Sequence, residues 1–114
     1  MIEVAYLNYI FYRGENAKDN FDLLDKFNDY PDYLWFHLNS FPSPYVIVNI
    51  TKFELLNNND KDLLLKYACD LCKDNSKYKN LKNLKIIWTP IKNLKKTENI
   101  GEVIISGKKN IISI

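Results

Sequence analysis

The chain has 114 residues, of which 46% are hydrophobic and 26% charged, with only three Gly and four Pro. This bounds it to one domain of ordinary size with a packed core, and argues against a loop-dominated or collagen-like chain. The net charge of +2 hides an asymmetry: residues 1–70 carry 6 Lys and Arg against 11 Asp and Glu, whereas residues 71–114 carry 10 Lys against 3 acids. Such a division between halves is a hint of an anionic partner.

Residues 2–13, "IEVAYLNYIFYR", are rich in β-formers and predict one strand, or two short strands meeting near Asn8. Gly14 ends them. Residues 16–27 predict a short helix, with Ala17, Phe21, Leu24 and Phe27 on one side. Asn16 and Asn20 are expected to cap this helix or the turn leading into it. After Pro31, residues 32–38 predict a strand in which Leu34, Phe36 and Leu38 alternate with Tyr33, Trp35 and His37. Residues 45–50, "YVIVNI", form a further β-branched strand.

The polar run "NNNDKD" precedes an amphipathic helix over residues 60–73, whose apolar stripe reads Leu63, Leu64, Tyr67, Ala68 and Leu71. A basic loop leads to a strand at residues 84–88. There Pro90, which cannot donate to a sheet ladder, is expected to turn the chain out into an exposed lysine loop. The segments "EVIIS" and "NIISI" flank "GKK" and predict a terminal hairpin. The sum is an α+β single domain over residues 1–114, with a mixed or antiparallel sheet of five to six strands and two main helices.

Two cysteines, Cys69 and Cys72, without an export signal indicate a reducing, cytoplasmic setting. No apolar run reaches the roughly 20 residues that span a bilayer. The Cys-x-x-Cys pair sits near a helix C-terminus, where the dipole does not activate a thiol, and one histidine cannot complete a zinc site. Both cysteines therefore read as buried helix-face residues. No phosphate-cradle spacing follows Gly14, the acids form no ligand cluster, and His37 has no nucleophile partner. Neither enzyme chemistry, nor a metal, nor a cofactor is expected.

The basic set is Lys77, Lys79, Lys82 and Lys85 before and within the strand at 84–88, Lys92, Lys95 and Lys96 after it, and Lys108 and Lys109 in the terminal turn; Arg13 ends the first strand region. Lysines on loops can neutralise phosphates, although charge runs are more often a solvated face. Trp35 and His37 share a strand face, and with Trp88 they are either a base-stacking platform or core. A strand apolar on both sides, with two helices available, favours core.

Three stretches in fixed order carry a family resemblance: "GENAKDNFDLL" (14–24), "DYLWFHL…PSPYVIV" (32–48), and "YACDLCKDNS" followed by "IIWTPIKNLKKTENIGEVII" (67–105). Together they resemble the NFACT-R domain, the RNA-binding module of NEMF-type ribosome quality-control factors, and within it a stand-alone branch. Tyr45 stands where the family's turn commonly carries His. The resemblance implies a non-catalytic domain that binds RNA (tRNA, rRNA or ribosome-associated RNA) through the lysine surface, and it tilts the lysine loop from connector to clamp. Two alternatives remain open at this point: an adaptor docking on a translation or ribosome-associated protein, and DNA binding by the same basic surface.

Overall fold

A computed structural model describes all residues, 1–114. Ten elements follow one another: β1 (Ile2–Tyr6), β2 (Tyr9–Arg13), α1 (Ala17–Lys26), β3 (Leu34–Leu38), β4 (Val46–Val48), α2 (Asn58–Asp74), β5 (Lys85–Pro90), β6 (Leu94–Lys96), β7 (Val103–Ile105) and β8 (Asn110–Ser113). Short 3-10 turns lie at Phe53–Leu55 and Ile91–Asn93. The fold is α+β. Six strands form one antiparallel sheet in the order β1-β2-β4-β3-β5-β8, and β6 and β7 form a separate antiparallel ribbon.

The N-terminal β-rich stretch is two strands. Leu7 and Asn8 both have positive φ, 53° and 65°, the conformation a two-residue hairpin turn needs to match strand twist. The central strand β3 is buried along both faces. Leu34, Phe36 and Leu38 join Phe11, Val46, Val48 and Ile86 in a core under α2, while Trp35 joins Ile47, Tyr45 and Ile87 in a second core under α1. Burying each of these large side chains contributes roughly 1.5–3 kcal/mol, which fixes β3 at the middle of the sheet.

Helix α2 starts two residues before the position expected from its stripe, because Asn57 is the cap: its side chain accepts the Asp60 N–H at 2.8 Å. The buried stripe is also rotated. Leu64, Ala68, Cys69 and Cys72 face the sheet, whereas Leu63 is 37% exposed. Small Ala and Cys side chains let the helix lie close to the sheet.

The expected terminal hairpin does not form. β7 pairs with β6, placing Val103 and Ile105 against the α1-side core, while β8 pairs with β5 and sets Ile112 opposite Ile86. The segment between them crosses from ribbon to sheet and is held at the Lys108 carbonyl, which accepts from Thr89 Oγ1 at 2.9 Å and Asn93 Nδ2 at 3.2 Å. Lys108 and Lys109 therefore lie on this crossover and tip no hairpin. The expected lysine loop is likewise part strand, since Leu94–Lys96 is β6.

Asn20 is not a cap. Asn16 caps α1, accepting the Asp19 N–H at 2.8 Å. Asn20, 6% exposed, clamps the approach to β4: its Oδ1 accepts the Tyr45 N–H at 3.0 Å and its Nδ2 donates to the Ser43 carbonyl at 3.4 Å. Gly14 makes room for that amide. A Cβ on Gly14 would stand 1.9 Å from Asn20 Oδ1.

Gly14→Ala is expected to destabilise the fold by about 2–4 kcal/mol through this overlap. Asn20→Ala alone costs about 1–3 kcal/mol by stranding the buried Tyr45 N–H. The double variant should be far less destabilised than the sum, because the overlap and the clamp are the same contact. Additive denaturation midpoints across the cycle would refute it.

Candidate nucleic-acid interface

The lysines of the C-terminal half do not share one surface. Lys92, Lys95 and Lys96 gather where the Ile91–Asn93 turn leads into β6, lining a cleft of about 450 Å³ whose far side is Leu24, Asp25 and Asn28 of α1 and its exit. Lys92 also lines a neighbouring cleft of about 500 Å³ with Lys108, Trp88 and Asn93. Four lysines thus surround one turn, and the exposed Lys109 follows Lys108.

Lys85 opens β5, at the end remote from Pro90, about 17 Å along the strand at ordinary strand rise. Lys82 precedes it on the exposed connection from α2. Arg13 lies on the α2 side of the sheet, in the cross-strand row Arg13–Val46–Phe36–Trp88. Three strand spacings of about 4.8 Å separate it from β5.

The acidic half of the sequence meets the basic half in space. Lys92 Nζ lies 3.2 Å from Asp32 Oδ1, and Lys96 pairs with Asp25 while its ammonium sits 4.7 Å above the Phe21 ring. Lys95 faces outward on β6 opposite Ile104 and has no such partner. These pairs are well exposed, so each contributes only about 0–1 kcal/mol and exchanges readily.

The aromatic candidates divide by burial. Trp35 is 2% exposed and Tyr45 1%, so both belong to the core and present no face for stacking. Tyr45 instead acts as a strut: its hydroxyl donates to the Gly101 carbonyl at 2.6 Å, and burial raises its pKa. Gly101 has φ 83°, and a Cβ there would meet Ala17 Cβ at 2.8 Å. His37 is half-buried, stacked on Trp35 at 5.7 Å and set edge-on to Tyr45 at 5.1 Å. Burial pushes its imidazole down to about 4, only partly offset by backbone groups of Leu38 and Ser43. Trp88, half-buried, stacks on Phe36 and shares a cleft with Lys92 and Lys108. The indole Nε1 atoms of Trp35 and Trp88 are buried without an acceptor.

Cys69 and Cys72 are fully buried and unpaired by disulfide. Burial pushes the Cys69 thiol up to about 12 and raises that of Cys72 well above its ordinary value, so neither is a ready thiolate. No cluster of three or more His, Cys, Asp or Glu side chains is present, and no helix is long and apolar enough to cross a membrane.

The profile of the NFACT protein RNA binding domain matches residues 3–113. The chain belongs to this family. Coiled-coil domain-containing protein 25 of Mus musculus is 30% identical over 106 residues, and its homolog in Dictyostelium discoideum 33% over 107. Each match covers 90% of this chain and 50% of the relative, so the chain spans about half the length of these curated relatives. The C-terminal part of the fibronectin/fibrinogen-binding protein of Streptococcus suis superposes with a TM-score of 0.75 at 22% identity, covering 93% of this chain and 41% of that one, and shows the same fold.

The site residues that sequence reasoning missed are Asp25 and Asp32. Their place in a helical rhythm gave no sign that lysines distant in sequence would pair with them.

His37 gives a pH dependence with a definite sign. Its folded-state pKa lies below the unfolded value, so its contribution is complete above about pH 6.5 and is lost as pH falls towards 4. The loss should reach up to about 3 kcal/mol. Thermal unfolding of the protein and of His37→Gln across that window should diverge by this slope; parallel curves would show that the imidazole is not desolvated.

Proposed function

We propose that this member of the RNA-binding family engages structured RNA, such as tRNA or rRNA, through phosphate contacts from Lys92, Lys95, Lys96 and Lys108, without catalysis. The observation that carries this reading is the gathering of these four lysines around the Ile91–Asn93 turn, with Lys92 shared by two adjacent clefts. Mobile ammonium groups spread along a groove suit a backbone of phosphates, where each neutralised phosphate releases counterions. Lys109 extends the same surface. Trp88 offers an apolar flank beside it. Lys82, Lys85 and Arg13 lie apart and contribute at most a second contact region.

Protonated, buried thiols support a binding role over a catalytic one. A cytoplasmic, ribosome-associated or translation-linked setting within quality control follows from the family resemblance and belongs to the same proposal. The carboxylates of Asp25 and Asp32 occupy Lys96 and Lys92 in the free protein, and phosphate displaces them.

Two variants test this with opposite signs. Lys95→Ala should weaken binding to a hairpin RNA and reduce the slope of log K against log salt by about one. Asp25→Asn should strengthen binding by about two- to fivefold, the range of an exposed ion pair. Running the same titration on a DNA duplex separates RNA preference from general polyanion binding. Unchanged affinity in both variants would remove this cleft from the interface, and retention of a translation factor after nuclease treatment would favour the adaptor reading instead.

A further inference from the structure

A second groove, of about 740 Å³, lies at the far end of β3 and β5 from the lysine cluster. It is enclosed by the N-terminal residues of α1, the turn at 40–44, the segment 75–78 that leaves α2, and the loop at 99–102. His37 lines it. One wall is aromatic: the Phe41 and Tyr78 rings meet at 4.7 Å between centroids, tilted by 41°, and Phe41 remains 39% exposed.

The charges in this groove are unlike those of the lysine clefts. Lys77 is its one cation, against the carboxylates of Glu15 and Glu102. A phosphate would meet more repulsion than attraction there. The remaining polar lining is neutral, supplied by Ser and Asn side chains and by an imidazole that burial keeps uncharged. Neutral histidine presents one donor and one acceptor nitrogen. An aromatic wall beside neutral donors and acceptors suits a flat, uncharged, hydrogen-bonding ring, and the volume falls in the range of small-ligand sites.

We infer that this groove takes one unpaired nucleobase of a bound RNA, with Phe41 and Tyr78 as its stacking wall and His37 in its lining. The inference rests on the RNA-binding reading and adds a base-recognition site to it. Stacking of unpaired bases on exposed aromatic rings is the usual way proteins read single-stranded RNA. Lys77, Lys82 and Lys85 belong to the same end of the molecule, where Lys85 begins β5 and its carbonyl accepts the Asn39 N–H at 2.7 Å. They are placed for the phosphates that flank such a base.

The sole imidazole gives a single-site readout. An unpaired tetraribonucleotide, tried as each of the four homopolymers, should shift the His37 Cε1–H resonance. Phe41→Ala should weaken that response by about tenfold. A blunt RNA duplex that binds through the lysines should leave the resonance unmoved. If the duplex binds but no tetranucleotide moves His37, or if Phe41→Ala changes nothing, the groove inference fails while the lysine reading stands. If neither probe binds, both fail. If a free nucleoside monophosphate binds as tightly as the tetranucleotide, the groove is a mononucleotide site and the inference is overturned.

Discussion

Tyr45 is where the separate parts of this fold are joined. Its N–H is held by the Asn20 amide of α1, its carbonyl accepts the Gly14 N–H at 3.1 Å, and its hydroxyl reaches the Gly101 carbonyl in the loop before β7. One buried residue thereby ties the end of β2, the first helix, the start of β4 and the distant ribbon. Each contact satisfies a polar group that burial would otherwise penalise by about 1–3 kcal/mol. The position of α1 over the sheet follows, and with it the distance from Asp25 to Lys96. The groove lined by His37 also depends on this residue, because α1 and the loop at 99–102 form two of its walls.

A sheet covered on both faces leaves little room for an aromatic platform. α2 takes one face, and α1 with the β6–β7 ribbon takes the other. The candidate lysines thus stand at the ends of strands and on the turns between layers. At those ends the charge asymmetry of the sequence is partly cancelled, since the acids of the first half lie against the lysines of the second. What survives is Lys95, Lys108 and Lys109, which have no carboxylate partner, together with Lys92 and Lys96, whose partners are exposed carboxylates in weak competition with any stronger anion. The clustering around one turn matters more than the net charge of the chain.

Much of the architecture was legible in the sequence. The period-two pattern of residues 34–38, the β-branched run before Asn49 and the helix after the polar run at 57–62 each depend on neighbours in sequence, and each forms where the pattern places it to within a few residues. The resemblance of three ordered stretches to the NFACT-R domain was legible too, and the family match bears it out. The terminal segments were not. "EVIIS-GKK-NIISI" carries every local mark of a hairpin, yet Val103 and Ile105 are drawn to the α1-side core and Ile112 to Ile86. The choice is made by Thr89 and Asn93, which hold the Lys108 carbonyl across the gap. A contact between residues 15 and 19 positions apart leaves no periodic trace. Asn20 was hidden for a similar reason: its partners Ser43 and Tyr45 lie more than twenty residues on, so its place in the first turn of a helix suggested a cap.

The two proposed contact regions are set by the length of β5. Its ends lie about 17 Å apart, beyond the screening length of about 8 Å at physiological salt. The β6–β7 ribbon nevertheless bridges them: Lys96 pairs with Val103, and the Thr97 N–H donates to the Glu102 carbonyl at 3.1 Å, so one lysine of the cluster stands beside the 99–102 wall of the groove. Phosphate contacts position a nucleic acid and base contacts discriminate among sequences; on the proposed reading the two tasks would fall to opposite ends of β5. On that reading a ligand would use both only if it spanned the length of β5. The sheet between them would then fix the span that such a ligand has to cover.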